Sequence, residues 1–478
     1  MKDFKTCTTM LVGKAASTDG STIVGRNEDI REPKFPIKFL VRPAHDNQNQ
    51  TFTSEKTGVK IPLPKHAYRY TCQPVAMSGF SNHAYEEGGV NEKNVCMSAT
   101  ETTSNNQQFL KADPLTKYGL NEIDMPTVIL PYINSAQDGV KRLGKLLEKY
   151  GTGESNGIIF SDKNEIWYVE TAGGHHWVAQ RIPDDCYAIA PNQMMIQNVD
   201  FDDPKNFMWS PDLPEFVKQH HLNPDLKEFN WRHIAGTRTT HDLHFSNGRA
   251  WYGQRMFTSS AKQSPMDPEI PFLHHPDHKL SIVDVEKFLS SHYQGTPYDP
   301  YGKDKVHHYK FRPVGVSTNR ASHILQIRND RNLKYSCVEW LGLGNLVFSP
   351  YVPFYTNISQ TPANYQTAGD HFDRHSAYWM YELLQSLVIP HYHGLIKTVN
   401  QYREACQSDE FKLLNHFDQQ AKQIQPDQMT NFLTKASFKM ANHITYKTQT
   451  LIRQLIEKTL ALQNDQYIKN YSTPPRKY

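Results

Sequence analysis

Between residues 156 and 192 the runs NGIIF, IWYVE, HWVAQR and CYAIAPN follow one another, separated only by a DKN, a Gly-Gly and an Asp-Asp turn. Short runs rich in β-branched and aromatic residues, bounded by turn formers, read as strands. Such turns leave no room for a crossover helix, so this stretch commits the chain to a meander of antiparallel strands. The first hundred residues point the same way. CTTMLV (7–12) and STIVGR (21–26) flank GKAASTDG, whose Asp19-Gly20 supplies turn chemistry, which predicts an antiparallel pair. The stretch 30–75 is Pro-rich and reads as long loops with strand pieces. VNEKNVCMSATET (90–102) reads as a turn and a strand, and ASHILQIR (321–328), YSCVEWLGLG (335–344) and LVFSPYVPFY (346–355) are strand-like.

Helices are expected elsewhere. Over 135–150 Ser135 can cap, Val140, Leu143, Leu146 and Leu147 form a stripe, and Gly151 can end the helix. SIVDVEKFLSSHY (281–293) starts another. From about 370 the character changes, and the segments from YWMYELLQSLV to the run ending IRQLIEKTLALQ all support helices. Their apolar positions recur at helical spacing, which marks core. Lys and Arg are interspersed with Gln and Asn without a continuous basic face, which suits a structural role or a contact between copies of the chain. The organisation expected is a leader at 1–6 that is removed, a core at 7–365, a helical region at 366–470 packed on it, and a mobile tail at 471–478.

Composition narrows the function. The 478 residues carry 52 Lys+Arg against 49 Asp+Glu, a formal net charge of +3, which argues against a dedicated nucleic-acid binder. No apolar run approaches the ~20 residues that span a bilayer, and MKDFKTCTTMLVGK lacks the apolar stretch of a secretory signal. The 6 cysteines are scattered without a CxxC pair, so reduced thiols in the cytoplasm are expected rather than a disulfide framework or a zinc ribbon.

One constellation carries chemistry. If the 13–20 turn is symmetric, residue 12 pairs with 21 and Cys7 with Arg26, with Asp29 a short step beyond in GRNED. A thiol beside a guanidinium should have a lowered pKa, and the thiolate is the nucleophile. The plain alternative is a buried small residue beside an ordinary Arg–Asp pair. A nucleophile also needs a base. If MKDFKT is cut off, the new α-amine of Cys7, with a reference pKa of about 7.7–8.0, can accept the thiol proton.

The segment CTTMLVGKAASTDGSTIVGRNED resembles the mature start of the PepD-type dipeptidases, cysteine peptidases of the N-terminal-nucleophile hydrolase superfamily. GVNEKNVCMSATET, SNGRAWYGQR, HYQGTPYDPYG, RASHILQIR and YVPFY occur in family-like order along nearly the whole chain. The R-x-x-D spacing also resembles the penicillin and bile-salt acylases. The resemblance implies an α+β protein with the four-layer αββα fold, antiparallel sheets and a C-terminal helical extension. It implies Cys7 as nucleophile, Arg26 beside the thiol and Asp29 orienting the new α-amine. By position, Asn192 in IAPNQ matches the oxyanion-hole asparagine and Arg249 in NGRAW the late arginine. The resemblance to the acylases implies a backbone N–H near Thr100 or Glu101 as the second oxyanion donor, with an ordinary strand terminus as the alternative. Cys7 is neither residue 1 nor 2, so methionine removal alone cannot expose it; the chain cuts itself at Thr6–Cys7 or another peptidase trims it.

The 23 histidines include His175-His176, His220-His221, His274-His275 and the pair His391 and His393, but no HExxH. Adjacent histidines on a strand face opposite ways, so no metal and no other cofactor is expected. Cys96 and Cys186 lie in apolar strands and read as core. The reading is a cytoplasmic dipeptidase of broad specificity acting on small peptides, with neither nucleic-acid nor membrane partner. An amidase acting on N-acylated amines or amino acids would use the same nucleophile, and a non-catalytic binding protein could keep the fold. A dipeptide needs an acidic and a basic anchor, for which Glu101, Glu170, Arg249 and Arg255 are the candidates.

Overall fold

The computed structural model describes residues 6–79, 85–101 and 103–472, with side chains to residue 464. Met1–Lys5, most of the expected leader, and residues 473–478, most of the expected tail, lie outside them.

Two antiparallel sheets organise the chain. The first has seven strands in the order Leu273–His274, Tyr187–Ala190, Thr8–Val12, Thr22–Asp29, Asn319–Ile327, Cys337–Leu343 and Val352–Tyr355. The second has six, in the order Phe207–Trp209, His176–Ile182, Ile166–Ala172, Gly157–Ser161, Cys96–Thr100 and Gly88–Val90. The meander therefore divides. Its first three strands build the second sheet, and the fourth crosses to pair with Thr8–Val12, Ala190 opposite Thr9. The turn at 183–186 makes the change, because Cys186 and Asp184 carbonyls accept from the Gly13 and Ala15 amides at 2.9 and 2.7 Å.

The sheets share one apolar cluster, in which Met10, Val24 and Ile324 of the first join Ile159, Tyr168 and Val178 of the second. Helix Ile282–Leu289 lies against the first sheet. It comes so near Gly25 that a Cβ there would stand 2.8 Å from Val285 Cγ1, so a larger residue would force helix and strand apart. Helix Ala136–Tyr150 packs Val140, Leu143 and Leu147 with Phe160 and Trp167 of the second sheet. Ser135 caps it by accepting from the Asp138 amide, and Gly151 ends it at φ 68°.

Because Thr22–Asp29 lies inside these coverings, all eight of its residues are buried, including Arg26, Glu28 and Asp29. Buried ionic groups need partners, so this strand is where the fold must assemble them. The helices Ala377–Val388, Tyr392–Ala421 and Met429–Ser472 follow the last strand. Leu414, Phe417, Leu433 and Met440 join the sheet cluster.

Two boundaries differ from expectation. The strand expected over 346–355 is only Val352–Tyr355, because the Asn345 side chain and carbonyl hold Val347 and Ser349 in a turn. The last helix reaches Ser472, two residues into the expected tail. No described helix is long and apolar enough to cross a membrane.

Candidate active site

Cys7 immediately precedes strand Thr8–Val12, whose partner Thr22–Asp29 carries Arg26 and Asp29. The register pairs Thr9 with Arg26 and Thr8 with Asn27, two residues away from the expected pairing of Cys7 with Arg26. The connection is not a symmetric hairpin: Ser17 bridges to Leu280, and its hydroxyl donates to the Ser21 carbonyl at 2.7 Å. A slip of two preserves the face, so Arg26 still reaches the thiol diagonally. Arg26 Nη2 lies 3.4 Å from Cys7 Sγ.

Arg26 and Glu28, two apart on one strand, share that face. Arg26 Nη2 donates to Glu28 Oε2, and the Cys7 thiol donates to the same oxygen at 3.5 Å. Arg26 Nη1 also donates to Glu87 at 2.9 Å, and Nη2 to Glu122 at 3.2 Å. Three carboxylates thus surround one guanidinium, with an oxygen of each within 4.8 Å of the others. That is a spacing a metal ion could use, but the guanidinium already bonds all three. Glu101 stands with Glu122 and Glu154 at the same spacing. Tyr85 and Glu87 have φ of 60° and 47°, left-handed values that bulky residues rarely adopt. This local cost goes with aiming Glu87 at Arg26.

Asp29 has other partners. Its carboxylate accepts from Arg312 Nη2 at 2.6 Å and from Asn319 Nδ2. Its carbonyl accepts from the Thr6 amide at 3.1 Å, and Arg312 also donates to the Thr6 hydroxyl at 3.0 Å. Asp29 therefore holds the residue on the far side of the Thr6–Cys7 bond.

Arg249, on helix Gly248–Phe257, is fully buried and ties three groups together. Its Nη1 donates to the Cys7 carbonyl and to the Thr8 hydroxyl, both at 2.7 Å, and its Nη2 donates to Asn192 Oδ1 at 2.6 Å. This orients the Asn192 amide so that Nδ2 is its donor end. Thr100 ends strand Cys96–Thr100 and Glu101 follows it. The other two proposed anchors lie elsewhere. Glu170 accepts from the Met195 and Ile196 amides, and Arg255 is an exposed residue over the Trp251 ring.

The electrostatics correct one expectation. Burial pushes the Cys7 thiol far above its usual range, Glu28 pushes the same way, and the opposing Arg26 does not prevail. With 1% exposure a thiolate would forgo its hydration, so the buried thiol is a neutral donor to Glu28. Burial favours a neutral Arg26, yet Glu28, Glu87 and Glu122 together hold its guanidinium charged well above the ordinary value. Burial, then Glu28, raise Glu87 well above the carboxylate range. Burial raises Asp29 despite Arg312 and Asn319. Burial and then Arg312 draw Arg249 down to about 9.

Cys7, Arg26, Asp29, Asn192 and Arg249 thus stand in one bonded constellation. Glu28, Glu87, Glu122, Arg312 and Asn319 belong to it and were not anticipated. Glu28 was visible in GRNED as the residue alternating with Arg26. The others come from segments without a chemical motif.

The family model for peptidase family C69 matches residues 6–405. The "Probable dipeptidase" of Latilactobacillus sakei is 42% identical over 455 residues, covering 95% of each chain. "Dipeptidase A" of Lactobacillus helveticus is 40% identical over 469 residues, covering 96% of this chain and 98% of that one. Among solved structures, penicillin V acylase from Agrobacterium tumefaciens aligns with 73% of this chain and 86% of its own, at 13% identity and a TM-score of 0.33, too slight a likeness to carry an argument. The chain belongs to peptidase family C69.

Proposed function

We propose that this member of peptidase family C69 is a dipeptidase that hydrolyses small peptides through Cys7 as an N-terminal nucleophile. Its relatives of 42% and 40% identity are named dipeptidases. The arrangement of two antiparallel sheets sharing one apolar cluster, with a helix on each, supports the four-layer αββα reading and a helical extension after residue 365. The six free, buried cysteines fit a reducing cytoplasm.

The bonds support the following mechanism. Cutting Thr6–Cys7 frees an amine beside the thiol, with the Asp29, Arg312 and Asn319 group at the position Thr6 vacates. The amine takes the thiol proton, Sγ attacks the scissile carbonyl, and the proton passes to the leaving amine. Asn192 Nδ2, on the amide whose Oδ1 Arg249 holds, and a backbone N–H near Thr100 or Glu101 stabilise the oxyanion, each donor contributing about 3–4 kcal/mol. Water then hydrolyses the thioester. The departure of Thr6 also admits water to the thiol, which removes the main cause of its raised pKa.

The observation that carries the choice of substrate is the surplus of carboxylates around Arg26. Glu28, Glu87 and Glu122 face one guanidinium, which favours a ligand bearing an ammonium group over an apolar acyl chain. The test combines intact mass with rate measurements on wild type and Cys7→Ala. The active wild type should lack Met1–Thr6, lose dipeptide hydrolysis on alkylation and keep it in EDTA. A fully active wild type still carrying Met1–Thr6 would overturn the mechanism. Faster hydrolysis of N-acylated amines than of dipeptides would favour the amidase reading.

A further inference from the structure

A cavity of about 560 Å³ opens between helix Ile282–Leu289 with the loop that follows it and helix Tyr392–Ala421. None of Cys7, Arg26, Asp29, Asn192 or Arg249 lines it. Its lining combines opposite charges. Glu286 and Glu410 are 5% and 1% exposed, and Arg403 reaches in from the long helix. Their hydrogen bonding is incomplete. Glu286 Oε2 accepts from Gln407 at 2.5 Å and Arg403 Nη2 donates to Ser290 at 3.1 Å, yet Glu286 Oε1, Glu410 Oε1 and Arg403 Nε have no partner. Buried polar atoms are ordinarily hydrogen-bonded, so three unpaired ones on side chains lining one cavity suit a ligand that pairs with those groups.

We propose that this cavity binds a small zwitterion, an α-amino acid or dipeptide with an apolar side chain, its ammonium between Glu286 and Glu410 and its carboxylate on Arg403. Of the charged lining, Lys287 and Glu404 are exposed and His292 and Asp299 bond each other, which leaves the Glu286 and Glu410 carboxylates and the Arg403 guanidinium to meet the two ends of such a molecule. Val347, Pro350 and Ile396 supply an apolar wall for the side chain. Burial raises Glu286 to about 7 although Arg403 and Lys287 oppose it, and an ammonium beside it would favour its charged form further. A metal ion suits the place less well, because Arg403 repels it and the described trios of ligand side chains close enough for an ion lie elsewhere.

Isothermal titration of the full-length Cys7→Ala protein, which cannot turn a peptide over, tests this with L-leucine and with L-alanyl-L-leucine. Asn400 is exposed on the long helix and lines the cavity, so Asn400→Trp fills the space without touching the core. Adding Asn400→Trp, or Glu286→Gln, should remove one binding equivalent, whatever the Cys7 site retains. N-acetyl-L-leucine and L-leucine amide, each lacking one charge, should bind that equivalent about tenfold more weakly or less. Loss of the equivalent for L-leucine identifies a free amino acid as ligand, and loss for the dipeptide alone identifies the dipeptide. An unchanged number of equivalents after Asn400→Trp for both probes would overturn the proposal, as would equal binding of the blocked derivatives.

Discussion

Two buried arginines sit on neighbouring strands of the same sheet, and their surroundings are opposite. Arg328, just past strand Asn319–Ile327, has each of its nitrogens bonded. Nη1 and Nη2 grip Asp418 of the long helix at 2.6 and 3.1 Å, Nη2 also donates to the Tyr335 carbonyl at 2.6 Å, and Nε to Ser336 at 3.1 Å. Tyr355 adds a donor to Asp418 at 2.8 Å. Arg26 faces three carboxylates instead of one. Its Nε has no acceptor, and burial and Glu28 hold the Glu87 carboxyl well above the carboxylate range. The first cluster is satisfied and joins sheet to helix. The second gathers more carboxyl groups than one guanidinium can pair and lies against a cysteine. A buried ionic group arranged only for stability would not leave such a surplus, which is the ground on which we propose the second as the working site.

The largest expected effect is on that site alone. Cys7→Ala should reduce dipeptide turnover by about four orders of magnitude or more, the scale of a lost nucleophile, with the melting temperature nearly unchanged. Residual turnover within tenfold of wild type would move the chemistry elsewhere. Asp418→Asn should do the reverse. It strips the charge from the partner of a buried guanidinium and should cost about 3–5 kcal/mol in urea unfolding. The protein that remains folded should keep its kcat. A loss of kcat without a loss of stability would erase the distinction between the clusters. Arg26→Lys retains the charge but not the fork that spans Glu87 and Glu122, and should slow turnover about a hundredfold while the chain stays folded. Near-normal rates would reduce Arg26 to an ordinary ion-pair partner.

How far each cluster was legible in the sequence follows from how far apart its members lie. The two strands around GKAASTDG, and the Ser135 and Gly151 ends of the helix between them, are local patterns that short-range physics dictates. Cys7, Arg26 and Asp29 were readable as a group because they sit on those two strands. Glu87 and Glu122 join Arg26 across 61 and 96 residues, and Arg312 and Asn319 join Asp29 across 283 and 290. No period or motif links such distances, so only the fold brings them together. The raised thiol pKa was hidden for a related reason. The charged run GRNED gives no sign of its depth, yet every residue of that strand is buried, and burial outweighs the guanidinium that the spacing revealed.

The smallest expected effect tests the surplus charge most directly. Burial and Glu28 raise the Glu87 carboxyl well above its usual range, although Arg26 opposes them. In the unfolded chain Glu87 releases its proton near the reference value of about 4.3. Above that pH the folded protein holds a proton that the unfolded chain has lost, so Glu87 makes stability fall as pH rises, by up to about 1.4 kcal/mol per pH unit, until its folded-state pKa is passed. Its favourable contribution is complete only below the unfolded value. Glu87→Gln keeps an oxygen for Arg26 Nη1 and offers the Glu28 carboxylate an N–H, which mimics the protonated form at every pH. The variant and wild type should therefore unfold at the same urea concentration near about pH 4, with the variant gaining stability over wild type as the pH is raised. In Asp418→Asn, where no surplus exists to relieve, stability should fall instead. If Glu87→Gln also destabilises the protein at neutral pH and above, the carboxylates around Arg26 are as well paired as those around Arg328, and the contrast between a structural cluster and a working one fails.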